Sequence, residues 1–373
     1  MRKKVGLIIN PIAGLGGKAG FKGSDCIMHQ IQALENGYEK CSAGRVEECL
    51  RQITGFENEV LFLAPAGEMG VSTLENSGFP YREIYVPNEG TSSSDTAACL
   101  RIFLENDVDL ILFCGGDGTA RDVYNTIGLA KPVLGIPAGV KMYSACFAVN
   151  PLAAGQLLKD FLLGKTLKQE LREVMDIDEC ILGQPGISPR LYGYLSMLNE
   201  KQRLQGPKEA STASPAETEI LADFWVSQAD PDILYLIGPG STTFQIKLRL
   251  CGNGTLIGVD AIKNGHLLIK DADEHAILKL LAIHPQAEII VTCIGGAGFV
   301  FGRGNQQFSP EVIRRVTKEN IRLAVTKSKL AGLKSRPMLV DTGDSQTDDY
   351  LSGYYNISFH ENESTFYRVE HCR

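Results

Sequence analysis

The 373-residue sequence has one tryptophan, six histidines and no Cys-x-x-Cys pair among its ten cysteines. It also lacks His-Glu-x-x-His and zinc-finger spacings, so it offers no dedicated zinc site. The cysteines fall singly in apolar runs, as Cys99, Cys114, Cys146, Cys180 and Cys293 do. That placement reads as buried reduced thiols rather than a disulfide framework. No apolar stretch reaches the roughly 18 residues a membrane span needs. The basic Met1-Arg2-Lys3-Lys4 leads only into the short run 5–9 before Asn10-Pro11, too little for a signal peptide's apolar segment. Excess positive charge is missing too: 37 Lys and Arg stand against 44 Asp and Glu, a net −7. This argues against non-specific binding of nucleic acid or of an anionic membrane. The 39 glycines cluster in loops without a period, which excludes collagen-like structure. Together these absences predict a cytoplasmic protein with small-molecule partners, no nucleic-acid partner and no stable membrane association. A homo-oligomer is expected.

What is present is ordinary globular material, 44% hydrophobic and 22% charged. At about 150 residues per domain the length predicts two or three domains. Over the first 150 residues, apolar strand runs at 5–9, 59–64, 84–86, 110–114 and 133–136 alternate with helical spacing at 42–54, 69–76, 94–105 and 119–127. Ser92 or Ser93 is expected to cap the helix at 94–105. That alternation predicts an α/β fold with an open, mostly parallel sheet. Asn150 and Pro151 open a further helix as N-cap and first residue. From 171 to 300 the pattern changes to short strand candidates at 174–181, 191–198, 233–237, 256–262 and 289–293, with Asn264-Gly265 as a hairpin turn. Residues 205–215 have loop composition, 321–341 return to an α/β pattern, and 354–359 read as a last strand. The expected domains are 1–165, an α/β nucleotide-binding domain, and 166–310, a β-rich domain, with 311–373 returning to the first.

The sharpest motif is Gly115-Gly116-Asp117-Gly118-Thr119, at the end of one apolar run and the start of a helix. Ligands of open α/β sheets bind at such places. The three glycines admit a phosphate or ribose to the backbone, and the helix N-terminus favours an anion. An aspartate there would repel phosphate. It makes sense as an acceptor for a substrate hydroxyl proton or as a ligand holding Mg²⁺ against a phosphate. The bland reading is a tight turn with Asp117 as helix cap. A second glycine-rich loop, with Asn10, Gly14, Gly16 and Gly17, follows the first strand. It fits neither a Walker A loop nor a clean dinucleotide fingerprint. It reads as another kind of phosphate loop, with Lys18 or Lys22 as charge partner, or as a surface loop. Gly240, Ser241 and Thr242 repeat this logic after the run 233–237, either as phosphate donors or as a helix start capped by Ser241. Lys141 interrupts an apolar stretch; it either snorkels to the surface or offsets phosphate charge. Arg121 and Asp122 either face the ligand or form a surface pair. Asp341-Thr342-Gly343 occurs once, whereas aspartic-protease chemistry needs two such loops. The neighbouring Asp344, Asp348 and Asp349 read as a solvated turn.

A strand ending in Asn10-Pro11-x-x-Gly14, followed at a distance by Gly115-Gly116-Asp117-Gly118-Thr119, resembles the NAD kinase and diacylglycerol-type lipid kinase superfamily. Ile136-Pro137-Ala138-Gly139-Val140-Lys141, the motif 237–243 and Asp341-Thr342-Gly343-Asp344 look like its ATP-NAD kinase branch that includes the acetoin-catabolism protein X type. The resemblance implies an N-terminal α/β domain, a C-terminal β-rich domain and a site between them. It implies phosphorylation of the 2′-hydroxyl of the adenosine ribose in NAD, with ATP or polyphosphate as donor and Mg²⁺ or another divalent cation as cofactor. Asp117 matches the family's key acidic residue, and Gly115, Gly116, Gly118 and Thr119 its nucleotide loop. Asn199, followed by Glu200, resembles the pair that binds adenosine. The residues after Thr119, Ala-Arg-Asp-Val, depart from the usual pattern. That leaves two alternatives: a kinase of this fold with another metabolite or a lipid as acceptor, or a nucleotide-binding regulatory protein without turnover.

Overall fold

The computed structural model describes residues 2–21, 27–87, 90–139, 142–176, 190–199, 215–294 and 298–372. The described residues of 2–15 and 27–199 form one unit, and those of 16–21 and 215–372 a second.

The first unit alternates strands and helices in the expected order. Its strands are β1 (Lys3–Ile9), β2 (Val60–Pro65), β3 (Tyr81–Tyr85), β4 (Leu110–Gly115), β5 (Val133–Pro137), β6 (Lys168–Asp176) and β7 (Arg190–Asn199). Its helices are α1 (Ile27–Glu35), α2 (Ser42–Arg51), α3 (Val71–Ser77), α4 (Ser93–Glu105), α5 (Asp117–Ile127) and α6 (Pro151–Leu162). The sheet order is β3-β2-β1-β4-β5-β7-β6. Strands β3, β2, β1, β4 and β5 run parallel, with Val5 beside Leu110 and Ile9 beside Cys114. Every residue of β4 and β5 is buried, which explains why both read as unbroken apolar runs. From β1 the chain moves outward to β2 and β3, and from β4 outward to β5. The order therefore reverses between β1 and β4, and the carboxyl ends of those two strands flank the switch point.

Local signals set the helix starts. The Asn150 side chain accepts the Ala153 N–H at 2.7 Å, with Pro151 as first helical residue. Ser92 is the N-cap of α4. Helix α5 starts at Asp117, two residues before the expected start, because a carboxylate in the first turn suits the positive end of the helix. The sheet also runs past the expected boundary at 165. Strand β7 pairs in parallel with β5 through Met197 and Val133, and β6 closes on β7 antiparallel, so the edge of β5 is covered from within the first unit.

The second unit holds β8 (Leu234–Ile237), β9 (Asp260–Lys263), β10 (His266–Ile269), β11 (Ala287–Val291), β12 (Phe299–Phe301), β13 (Ile321–Leu323), β14 (Met338–Val340), β15 (Gly353–His360) and β16 (Glu363–His371). Between and before them lie α7 (Pro215–Ser227), α8 (Ser241–Cys251), α9 (Glu274–Ile283), α10 (Pro310–Val316), α11 (Lys327–Gly332) and α12 (Ser345–Leu351). One sheet has the order β10-β9-β8-β11-β13 and the other β12-β14-β16-β15. The unit is β-rich, as expected, but α7, α8 and α9 lie within the stretch read as short strands. In α9, Ile277 and Leu281 are buried four residues apart, a helical rather than an alternating pattern. Residues 311–372 do not return to the first unit: β14, β15 and β16 build the second sheet of the C-terminal unit. The expected loop at 205–215 lies outside the described residues except for Pro215, which opens α7. Asn264 and Gly265 both take positive φ, 48° and 71°, and pair Lys263 with His266 in the expected hairpin.

One buried ion pair organises this unit. Lys247 of α8 and Asp260 of β9 are both fully buried and meet at 2.8 Å. Lys247 also donates to the carbonyls of Thr255 and Gly258, at 3.0 and 2.8 Å. Asp260 accepts the Thr255 N–H and O–H and the Asp271 N–H. Each charge is thus hydrogen-bonded as well as paired, the condition under which burial is tolerated.

Candidate active site

Strand β4 delivers Asp117 to the switch point. Gly116 is the N-cap of α5 and Asp117 its first residue, only 6% exposed. The carboxylate is clamped by two backbone amides: Oδ2 accepts the Tyr143 N–H at 2.6 Å and Oδ1 the Ser144 N–H at 2.9 Å. Ser144 is itself fixed to β6, its Oγ donating to the Met175 carbonyl at 2.8 Å and accepting the Met175 N–H at 2.9 Å. Burial first, and then the Asp117 charge, push the Tyr143 phenol and the Cys146 thiol above their ordinary values.

The glycines around Asp117 serve packing. A Cβ on Gly115 would stand 2.3 Å from Thr119 Oγ1, and one on Gly139 only 2.8 Å from Gly116 Cα. The Gly115 carbonyl accepts both the Ala138 and the Gly139 N–H, at 3.0 and 3.2 Å. Close approach of loop to loop accounts for Gly116, and the Thr119 side chain in the first turn of α5 accounts for Gly115. Gly118 lies in the first turn of α5.

The loop after β1 joins the same place. The Asn10 N–H donates to the Cys114 carbonyl at 2.9 Å. Its side-chain Nδ2 donates to Thr119 Oγ1 at 3.1 Å, and its Oδ1 accepts the Ile12 N–H at 3.2 Å. Gly14 has φ +80°, and a Cβ there would fall 2.2 Å from the Ala138 carbonyl oxygen. The structure therefore brings Asn10, Gly14 and residues 115–119 together, with the turn after β5 against them. It adds Arg45 of α2, whose Nε donates to the Pro137 carbonyl at 3.0 Å. In the sequence Arg45 is one more polar position on an amphipathic helix, with no local signal of this placement.

Other predicted residues fall elsewhere. Gly16 and Gly17 are counted with the second unit, so the glycine loop is not a single phosphate cradle within the first. Lys18 is exposed, and its carbonyl accepts the Glu274 N–H at 3.1 Å. Lys22, Lys141, Glu200 and the side chain of Asn199 lie outside the described residues; Asn199 is the last residue of β7. Arg121 sets its guanidinium 5.7 Å from the Tyr192 ring centroid. In the second unit Gly240, with φ +132°, is the N-cap of α8, which moves the expected cap from Ser241; Ser241 is the exposed first residue of that helix. Thr242 is buried beneath it. Asp341 pairs with Arg303 at 3.1 Å, and Asp348, buried rather than solvated, accepts the Thr342 N–H and O–H at 2.8 Å each. These carboxylates hold the loop after β14.

Among the described residues no group of three or more His, Cys, Asp or Glu is placed to hold a metal ion. No helix among them is long and apolar enough to cross a membrane. The described residues contain eight cysteines and no disulfide.

A doubly wound parallel sheet with a glycine-flanked carboxylate at its switch point, followed by a β-rich second domain, is the two-domain NAD kinase fold. The sequence profile of the ATP-NAD kinase N-terminal domain matches residues 5–166, and that of the ATP-NAD kinase C-terminal domain matches residues 231–369. The chain belongs to the ATP-NAD kinase family. No curated protein and no solved structure matched it significantly.

Proposed function

We propose that the chain is a kinase that moves a phosphoryl group from ATP or inorganic polyphosphate to the 2′-hydroxyl of the adenosine ribose of NAD, forming NADP. The observation that carries this reading is the clamped carboxylate of Asp117 at the switch point, in a chain of this family. Phosphoryl transfer asks the protein mainly for positioning and charge stabilisation. In this reading the acceptor hydroxyl donates to Asp117. As its oxygen bonds to the donor's terminal phosphorus, its proton passes to the carboxylate, and the bond to the leaving diphosphate or shortened polyphosphate breaks. The amides of Tyr143 and Ser144 keep the carboxylate from turning away. Asn10 and Thr119 hold the two flanking loops in register.

Magnesium carried by donor phosphates needs only one or two protein carboxylates, and Asp117 fits that need; the cation's charge would offset that of the phosphates. The motifs at 136–141, 237–243 and 341–344 support a place in the acetoin-catabolism protein X-type branch.

The test is NADP formation by the purified chain given Mg²⁺ and NAD, with ATP in one series and polyphosphate in another. Product with either donor is expected, and the productive series identifies the donor. Absence of product with both, from protein that still binds nucleotide, would contradict the NAD kinase reading.

A further inference from the structure

Strand β6 is the outer strand of the first unit's sheet and, at nine residues, the longest edge strand among the described residues. It pairs with β7 on one side. On the other side its C-terminal half is covered from within the chain. The Glu173 carbonyl accepts the Ala145 N–H at 2.9 Å, and both backbone groups of Met175 are bonded to the Ser144 hydroxyl. Backbone groups alternate along an antiparallel strand, so those of Gln169 and Leu171 point the same way as those of Glu173 and Met175. No partner for them lies among the described residues. Lys168, Gln169, Glu170 and Leu171 are all exposed, the apolar Leu171 at 60%.

An open edge invites another strand, and natural edges are blunted by proline, lysine, bulges or covering chain. The N-terminal half of β6 has no proline and no such cover, and its one lysine, Lys168, is matched by Glu170 two residues on. The segment Leu167-Lys168-Gln169-Glu170-Leu171 reads the same outward from Gln169 in both directions, except that the charge changes sign. Two such segments laid antiparallel about a twofold axis at Gln169 set leucine opposite leucine and lysine opposite glutamate, each of them twice. Moving the axis to Lys168 or to Glu170 would set like charges against each other, and moving it to Leu171 would call on the backbone of Glu173, which Ala145 already covers.

We infer that the edge of β6 at 167–171 is where the chain pairs with a second copy of itself, antiparallel about a twofold axis at Gln169, so that one sheet runs through both molecules. Gln169 exchanges backbone hydrogen bonds with Gln169 of the second copy, Leu171 does so with its Leu167, and Lys168 faces its Glu170. The Glu170 carboxylate is steadied on its own strand by Arg172, whose Nη2 donates to it at 3.0 Å. The alternation of charge that repels a foreign strand in most registers attracts a second copy in this one.

The full-length chain is followed by sedimentation velocity at rising concentration, with thermal unfolding of each variant alongside. A monomer–dimer equilibrium in the micromolar range is expected, because a short edge contact lies at the weak end of protein interfaces. Glu170→Lys and Lys168→Glu each set like charges opposite one another twice, and each is expected to weaken the dimer by about tenfold or more. Mixed in equal amounts, the two variants again oppose lysine with glutamate at both positions, and the mixture is expected to regain dimers of near wild-type affinity. Gln169→Pro removes the outward N–H on the axis and leaves the β7 ladder alone, so it is expected to abolish pairing with the thermal midpoint nearly retained. The two charge variants lie at exposed positions and carry the test if the proline variant does not fold. A wild type that stays monomeric overturns the pairing and leaves the edge to a strand of some other chain. A dimer indifferent to the charge variants overturns it as well, and failure of their mixture to recover overturns the twofold register.

Discussion

Gly116 and Gly139 touch backbone to backbone: a Cβ on Gly139 would stand 2.8 Å from Gly116 Cα, and one on Gly116 3.2 Å from Gly139 Cα. The turn carrying Asp117 and the turn after β5 are therefore set at a separation that only glycine permits. The obstructing atoms are backbone, so relief requires a loop to move. Gly139→Ala is expected to destabilise the first unit by about 1–3 kcal/mol, the usual cost of overpacking, and Gly116→Ala by less. Urea denaturation of the two variants against wild type checks the order.

The Asn10 amide donates to Thr119 Oγ1 across the switch point. Thr119→Val keeps the shape and removes the acceptor, leaving a half-buried amide without its partner. A loss of about 1–3 kcal/mol is expected, and Asn10→Ala should remove much of the extra cost. A double-mutant cycle read by thermal unfolding should give a coupling of about 0.5–1.5 kcal/mol, and additive losses would show that the bond contributes nothing.

In the second unit Lys247→Met leaves the fully buried Asp260 without its cation. The expected cost is about 3–5 kcal/mol, the range for breaking a buried pair from one side. Replacing both residues with apolar ones should cost less than the sum of the two single changes, though Asp260 also holds the N–H groups of Thr255 and Asp271. Chemical denaturation of the three variants measures this.

The parallel sheet of the first unit was legible because its strands are buried on both faces and read as unbroken apolar runs between glycine turns. Asp117 stands out in the sequence as an acidic residue among glycines at a strand end, and the structure sets it at the switch point with its carboxylate held by the Tyr143 and Ser144 N–H groups. The glycines are less legible, since a sequence does not distinguish a glycine that admits a ligand from one that admits protein; Gly116 and Gly14 admit another loop, and Gly115 admits the Thr119 side chain. Arg45 carries no local signal, because its partner, Pro137, lies 92 positions away. A helix start near Ser241 is among the sequence readings, whereas α7 and α9 are not; in α9 the burial of Ile277 and Leu281, four residues apart, shows the helical pattern. The sheet continues past 165 because the partner of β5 lies beyond it, in β7.

The central claim is that Asp117 receives the acceptor's proton. Asp117→Asn preserves size but sets an amide NH₂ against one of the two N–H groups that clamp the carboxylate, so some stability is lost, about 1–3 kcal/mol. Turnover must therefore be measured together with unfolding and NAD binding. In protein shown to be folded and to bind NAD within a few-fold of wild type, NADP formation should fall by about 10²-fold or more, the scale of a lost general base. Turnover near the wild-type rate in that same protein would contradict the account.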